Sequence, residues 1–114
     1  MKTFIIAEIG VNHNGSITLA KKMIKAAKAS GASAVKFQSF ISNNLVTSKV
    51  NLANYQKKNS KEKKMISLLK KFELSKRDQI DLFNYCKRLK IEFMSSAFDI
   101  ESLNFLVSEL KLKK

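Results

Sequence analysis

The chain contains few of the residues that interrupt or cross-link a fold. Its 114 residues include no proline, no tryptophan, three glycines, one cysteine and one histidine. Without proline and with so little glycine, long flexible linkers are not expected, and the length fits one small domain. The single cysteine, Cys86, excludes an internal disulfide and fits a reducing compartment. Cys86 falls on a helical pattern, so we interpret it as a buried structural thiol.

Long hydrophobic runs are also missing. The apolar stretch 4–7 is too short for a signal peptide and is followed by Glu8. No stretch approaches the roughly 20 apolar residues of a membrane-spanning helix. These observations predict a cytoplasmic protein without a membrane partner.

Acidic residues are scarce, with 9 against 22 basic ones and a net charge of +13. Such a charge is typical of nucleic-acid-binding proteins, but arginine occurs only at Arg77 and Arg88. Arginine is the residue that makes bidentate contacts with bases and phosphates. Aromatic residues do not alternate with the lysines as a base-stacking surface requires. We therefore predict a solvated lysine-rich surface and no nucleic-acid partner.

Three apolar runs predict three β-strands. They cover residues 4–9, 32–38 and 91–95, and each ends in polar residues. Helical patterns separate these runs, which predicts β-α-β units and a parallel sheet. The predicted helices are 16–30 with Ser16 as its cap and Gly31 after its end, 65–72, 75–89 opened by Ser75 and Asp78, and a last one capped by Asp99. Residues 39–59 are predicted to form a longer excursion between the second strand and these helices.

Strand parity places the polar side chains together. Residues two apart share one face of a strand, so Glu8, Lys36 and Gln38 point to the same side as Ser96. The other parity is mostly apolar and is predicted to face the helices; it contains Ile5, Ala7, Ile9, Val35, Phe37, Ile91, Phe93 and Ser95. In a (β/α)₈ barrel the carboxyl ends of the strands carry the active site. We predict an α/β fold that forms a partial (β/α)₈ TIM barrel of about three βα units, because a complete barrel needs roughly 200 residues or more.

The run 7–15, Ala-Glu-Ile-Gly-Val-Asn-His-Asn-Gly, resembles the opening of the N-acetylneuraminate (sialic acid) synthase family. Further segments match the family in the same order, at 20–22, 31–38, 45–47, 55–56, 73–75 and 93–99. The resemblance covers nearly the whole chain but only the N-terminal part of the family's catalytic barrel. Residues 1–114 are therefore predicted to be an incomplete domain of that barrel.

The resemblance implies an enzyme that condenses phosphoenolpyruvate with N-acetylmannosamine or a related hexose and releases phosphate, in sialic acid or surface carbohydrate biosynthesis. It also implies a homodimer and a divalent metal, Mn or Mg, that polarises the sugar aldehyde as a Lewis acid. The family's metal-binding histidines lie in later strands, beyond Lys114. His13, the only histidine, is therefore interpreted as a structural residue of a loop near the rim, and no metal ligand is expected in this chain.

The resemblance also assigns individual residues. Lys36 matches a lysine that contacts phosphoenolpyruvate, and Glu8 matches a catalytic glutamate that acts on the sugar and the intermediate. Glu8 has a second interpretation as a structural partner of Lys36 on the adjacent strand, and both can hold. Gln38 is predicted to bind substrate or to orient Lys36, Ser96 to donate its hydroxyl to phosphate, and Asn59 to contact the sugar.

Three positions depart from the family pattern. A polar stretch before the leucine-rich helix is replaced by 64–67, a proline by Ala97, and a glycine before the third strand by Lys90. If Lys90 is left-handed, the substitution costs about 1 kcal/mol. We expect the chain to be inactive by itself. The alternatives are a fragment of a legionaminic or pseudaminic acid synthase, and a non-enzymatic remnant or binding module.

Overall fold

The computed structural model describes residues 2–46 and 59–114. Segments 47 and 55–56 of the family resemblance therefore lie outside the described residues. The elements are β1 Ile6–Gly10, α1 Ile17–Ala29, β2 Ala34–Ser39, α2 Ser42–Val46, α3 Asn59–Phe72, α4 Lys76–Leu89, β3 Glu92–Ala97 and α5 Ile100–Asn104, followed by a π-helical turn Phe105–Glu109. In this part of the chain no helix is long and apolar enough to cross a membrane.

The three strands form one parallel sheet in the order β1-β2-β3. The predicted α/β class with a parallel sheet is therefore confirmed. In the register of the sheet, Glu8 lies opposite Lys36, and Gln38 lies opposite Ser96. The polar residues predicted to share a face are thus neighbours across the strands.

The core lies between the other face of the sheet and helices α1 and α4. Its strand residues are Ile9, Val35, Phe37, Ile91 and Phe93, and its helix residues include Ala20, Ile24, Leu82 and Cys86. The rings of Phe37 and Phe93 stack with their centroids 5.4 Å apart. The predicted face parity is confirmed for these strand residues. Ile5, just before β1, is instead 54% exposed and lies outside this core.

Each predicted cap that opens a helix is present. The hydroxyl of Ser16 accepts a hydrogen bond from the backbone N–H of Leu19, and that of Ser75 accepts one from Asp78. Asp99 opens α5 by accepting from the backbone N–H of Ser102. These bonds satisfy N–H groups that have no partner inside the first turn of a helix.

Three helices differ from the prediction. Helix α3 begins at Asn59 instead of residue 65. Helix α2 lies in the excursion after β2, and its first residue, Ser42, donates both its backbone N–H and its hydroxyl to the carboxylate of Glu73. The last helix is α-helical only over Ile100–Asn104 and continues as the π-helical turn, with Leu110 donating to the carbonyl of Phe105. The wider turn keeps Phe105 and Leu110 in the core.

Candidate functional site

Four predicted site residues lie on the open face of the sheet, toward the carboxyl ends of the strands. β1 supplies Glu8, β2 supplies Lys36 and Gln38, and β3 supplies Ser96. The sheet register pairs Glu8 with Lys36 and Gln38 with Ser96. The structure therefore brings all four together on the rim of three adjacent strands.

Glu8 and Lys36 form an ion pair. The Lys36 ammonium nitrogen lies 3.0 Å from a Glu8 carboxylate oxygen, and the two side chains are 48% and 35% exposed for Glu8 and Lys36 respectively. A pair this exposed adds little stability, because water competes for both charges. Both groups remain accessible to a ligand that brings its own charges.

Gly10 lies at an irregularity of the β1–β2 pairing, where the register shifts between Glu8 and Gly10. Its φ is +58°, a left-handed conformation that glycine adopts without steric cost. A Cβ atom at Gly10 would lie 3.3 Å from Oε1 of Glu8 and 3.5 Å from Nε2 of Gln38. The side chains of Glu8 and Gln38 therefore converge over Gly10. Bulges of this kind re-aim side chains and are common beside active sites.

A chain of buried hydrogen bonds lies behind Gln38 and Ser96. The hydroxyl of Ser39 donates to Oε1 of Gln79 at 2.6 Å and lies 2.6 Å from the hydroxyl of Ser95. Because Ser39 has a single hydroxyl hydrogen, Ser95 is the donor in the second bond. The amide of Gln79 in turn donates to the carbonyl of Leu74. This chain ties β2 and β3 to the start of α4 next to the rim.

The sequence prediction missed the role of Ser39 and Gln79. Ser39 is the first residue of the predicted excursion 39–59, and Gln79 is one polar residue among several on a predicted helix. The only available signal was that Ser39 and Ser95 each adjoin a residue predicted to lie on the rim. Their common partner is 40 residues from Ser39 along the chain, so the contact exists only in the fold.

His13 is fully buried in the loop after β1. Its Nδ1 accepts a hydrogen bond from the backbone N–H of Gly15 at 2.9 Å, and its ring centroid lies 6.0 Å from that of Phe37. Burial lowers the pKa of His13 below its usual range, and the backbone of Gly10 opposes this by a smaller amount. The imidazole is therefore neutral at pH 7, which agrees with the interpretation of His13 as a structural loop residue.

The divalent metal implied by the resemblance has no fitting set of ligands in the described part of the chain. Within residues 2–46 and 59–114, no group of three or more His, Cys, Asp or Glu side chains is placed to hold a metal ion. His13 is a poor candidate because its Nδ1 is already used by Gly15. The described residues therefore do not fit the ion.

The remaining predicted residues lie elsewhere. Asn59 begins α3, but its side chain lies outside the described residues. The divergent stretch 64–67 forms the middle of α3. Cys86 is buried in α4, and burial raises the pKa of its thiol to about 12. A thiol with this pKa is not a nucleophile near neutral pH, in agreement with a structural role.

With this geometry established, comparison with known proteins identifies the family. A family model described as "NeuB family" matches residues 23–114. The chain belongs to the NeuB family. The match begins within α1 and covers every following element, including β2 and β3 of the candidate site.

Individual members of the family are similar over nearly the whole chain. An N,N'-diacetyllegionaminic acid synthase of Legionella pneumophila is 50% identical over 109 residues, which is 95% of this chain and 31% of that protein. A protein of the same name from Campylobacter jejuni is 44% identical, over 98% of this chain and 34% of that protein. The crystal structure of an N-acetylneuraminic acid synthetase from Leptospira borgpetersenii, in complex with citrate, superposes with a TM-score of 0.72 at 31% identity, over 93% of this chain and 33% of that one.

In each comparison the aligned region covers very different fractions of the two proteins. This chain is covered almost completely, but it spans only about a third of the length of these NeuB-family relatives. The relationship therefore establishes the family of the chain.

Proposed function

We propose that residues 1–114 are the N-terminal portion of the catalytic (β/α)₈ barrel of an N-acetylneuraminate synthase-type enzyme. The three parallel strands and their helices correspond to about the first three βα units of such a barrel. The polar rim at the carboxyl ends of the strands is where barrel enzymes bind substrate. The enzyme condenses phosphoenolpyruvate with an N-acetylated hexose and belongs to surface carbohydrate biosynthesis.

One observation supports this proposal most strongly. A carboxylate, an ammonium group, an amide and a hydroxyl lie in register on one accessible face of the sheet, in a chain of the NeuB family. Phosphoenolpyruvate carries a phosphate and a carboxylate, which need a cation and hydrogen-bond donors. Lys36, Gln38 and Ser96 supply such groups from neighbouring strands, and strands hold them in fixed positions.

The proposed reaction balances without an external oxidant or reductant. C3 of phosphoenolpyruvate forms a bond to the aldehyde carbon of the sugar, water adds at C2, and phosphate leaves with cleavage of its C–O bond. Lys36 binds the phosphate or the carboxylate, and the Ser96 hydroxyl donates to phosphate. Glu8 is the catalytic residue in the proposal, because its carboxylate accepts hydrogen bonds from the sugar and from the hydroxyl of the intermediate.

The acceptor sugar has two candidates within this class. N-acetylmannosamine is the acceptor implied by the resemblance of the sequence to the N-acetylneuraminate synthase family. The two legionaminic acid synthases among the relatives favour instead a related hexose that carries two N-acetyl groups. A cytoplasmic homodimer and a divalent ion bound by residues outside this chain complete the proposal. Asn59 is retained as a sugar contact.

The test is a titration of the isotopically labelled chain with phosphoenolpyruvate, followed by NMR. We expect the amide signals of Glu8, Lys36, Gln38 and Ser96 to shift in a saturable way. Lys36→Met should raise the half-saturating concentration about tenfold or more, since it removes a charge-assisted contact. Lys25→Met, on an exposed position of α1, is the matched control for loss of one positive charge.

A different pattern of shifts would contradict binding of phosphoenolpyruvate at the rim. If phosphoenolpyruvate shifts the signals of the lysine-rich helices and Lys36→Met behaves like Lys25→Met, binding is only the attraction of an anion to a protein of charge +13. The remnant or binding-module alternative would then replace the proposed function. A parallel titration with inorganic phosphate shows whether the phosphate group alone accounts for the binding.

A further inference from the structure

Among residues 2–46 and 59–114, His13 is the one buried ionisable group next to the candidate site that the proposed reaction does not use. It lies in the loop that follows β1, and none of its surface is exposed. Its ring packs beside Phe37, which lies between Lys36 and Gln38 in β2 and points to the opposite face of the sheet. A shift of this ring therefore acts on the strand that carries two of the four rim residues.

The same imidazole also supports the end of β1. Its pKa is affected by the backbone of Gly10, the residue over which the Glu8 and Gln38 side chains converge. On the other side of the ring, Nδ1 accepts from the backbone N–H of Gly15. His13 thus connects the two ends of the loop 10–15 and contacts the core beneath the rim.

The hydrogen bond from Gly15 determines where the proton of the ring resides. An imidazole nitrogen that accepts a hydrogen bond carries no proton, so the proton of the neutral ring is on Nε2. Nε2 is buried and makes no hydrogen bond of ordinary geometry among the described residues, although the backbone of Gly10 lies close enough to favour the protonated ring. A buried donor without a well-formed hydrogen bond costs free energy, so its presence in the fold calls for an explanation.

We propose that His13 is a positioning residue, which holds the loop 10–15 and Phe37 from below and thereby fixes Glu8, Lys36 and Gln38 on the rim. The neutral ring with its proton on Nε2 is the form that does this. Protonation at Nδ1 converts the acceptor for Gly15 into a donor and breaks that contact. What the positioned groups bind rests on the proposed function, but the positioning itself does not.

The elements that pack near His13 determine which charged groups surround its ring. Glu8 and Lys36 lie on the opposite face of the sheet. From α3, the backbone carbonyl of Lys71 meets the loop at Gly15. Desolvation, rather than a neighbouring charge, is the largest cause of the lowered pKa. The ring is therefore expected to titrate below its usual range in a single step.

The first experiment is NMR of the ring nitrogens in the labelled chain. His13 is the only histidine, so its signals are unambiguous. We expect the neutral form with the proton on Nε2 at pH 7. As the ring is protonated at lower pH, the amide signals of Gly15 and Lys36 should move with the same midpoint.

Two variants separate positioning from simple packing. His13→Asn keeps an acceptor near the position of Nδ1 and removes the titration. His13→Leu keeps apolar volume and removes the acceptor. We expect the Asn variant to retain the wild-type rim signals at pH 7, and the Leu variant to shift them and to speed exchange of the Gly15 amide about fivefold or more. The signals of Leu82 and Phe93, in the core, show whether each variant is folded.

Two outcomes would overturn the proposal. One is a neutral ring with its proton on Nδ1. The other is a set of rim signals that respond neither to the titration of His13 nor to His13→Leu. If the Leu variant does not fold, the wild-type titration and the Asn variant still decide the question. No substrate is used, so a failure here is distinct from a failure of the phosphoenolpyruvate titration.

Discussion

The carboxylate of Glu8 lies 3.0 Å from the ammonium group of Lys36, across the two adjacent parallel strands β1 and β2. Both side chains are between a third and a half exposed. The pair therefore has two interpretations, a structural one and a functional one. The two interpretations predict different coupling free energies between Glu8 and Lys36, which can be measured by unfolding.

A double-mutant cycle with Glu8→Gln and Lys36→Met measures the coupling of this pair. We expect a coupling free energy below about 1 kcal/mol, because water screens a pair of this exposure. It should fall further in 1 M salt, where the Debye length is about 3 Å. Urea unfolding of the four proteins gives the values. A coupling well above 2 kcal/mol that is insensitive to salt would show that the pair is mainly structural.

Gly15 is predicted to be the glycine least tolerant of substitution. Its φ is +77°, and a Cβ atom there would lie 2.0 Å from the backbone carbonyl oxygen of Lys71. We expect Gly15→Ala to reduce the free energy of unfolding by about 1–3 kcal/mol through overpacking, in addition to the cost of a left-handed alanine. Gly31→Ala is the control, since Gly31 has φ +90° with nothing within 4 Å. Equal losses in the two variants would show that α3 does not contact the loop.

Lys90 is predicted to be a strained position. It ends α4 in the left-handed region, with φ 57° and ψ 46°, as the family glycine at this position implied. Lys90→Gly should raise the free energy of unfolding by about 1 kcal/mol. The carbonyl of Lys90 accepts from the Lys28 side chain, and glycine keeps that bond. Lys90→Ala keeps the strain and serves as the control; if it stabilises as much as glycine, the Lys90 side chain and not its backbone is responsible.

Asp99 is predicted to make the free energy of unfolding depend on pH in the acidic range. Burial acts to raise its pKa, but hydrogen bonds from the backbone N–H groups of Ser102 and Ile41, and from the side chains of Ser102 and Asn44, leave the pKa lowered. A carboxyl whose folded pKa is depressed stabilises the fold above its unfolded pKa of about 3.9, and this stability is lost as pH falls through the folded pKa.

Two variants test this sign. Asp99→Asn keeps a helix cap without the charge, so its deficit relative to wild type should be present at pH 7 and shrink at pH 3. Asp99→Ala also loses the cap and should cost about 1 kcal/mol or more at both pH values. Urea unfolding at the two pH values provides the measurement. A deficit of Asp99→Asn that grows in acid would contradict the lowered pKa.

Much of the architecture was predictable from local patterns. The helix starts at Ser16, Ser75 and Asp99 were predicted because a cap is a contact between residues two or three positions apart. The two faces of the sheet were predicted because strand parity is a property of the backbone. Helix α2 was not predicted, since its first turn is satisfied by Glu73, 31 residues away along the chain.

In the candidate site too, some residues were predictable from local patterns and others were not. Glu8, Lys36, Gln38 and Ser96 were found from strand ends and from the family motifs, and the register of the sheet confirms that they are neighbours. Their roles stay predictions. The hydrogen-bonded chain through Ser39 and Gln79 was missed, because its partners are distant in sequence.

The sequence by itself determined the α/β class, the strand faces, the helix caps and the family, because these depend on residue type and short spacing. Only the tertiary structure decided the convergence of Glu8 and Gln38 over Gly10, the burial of His13 beside Phe37, and the π-helical turn after α5. These features arise when strands and helices pack against one another. Packing acts between residues whose separation along the chain carries no local signal.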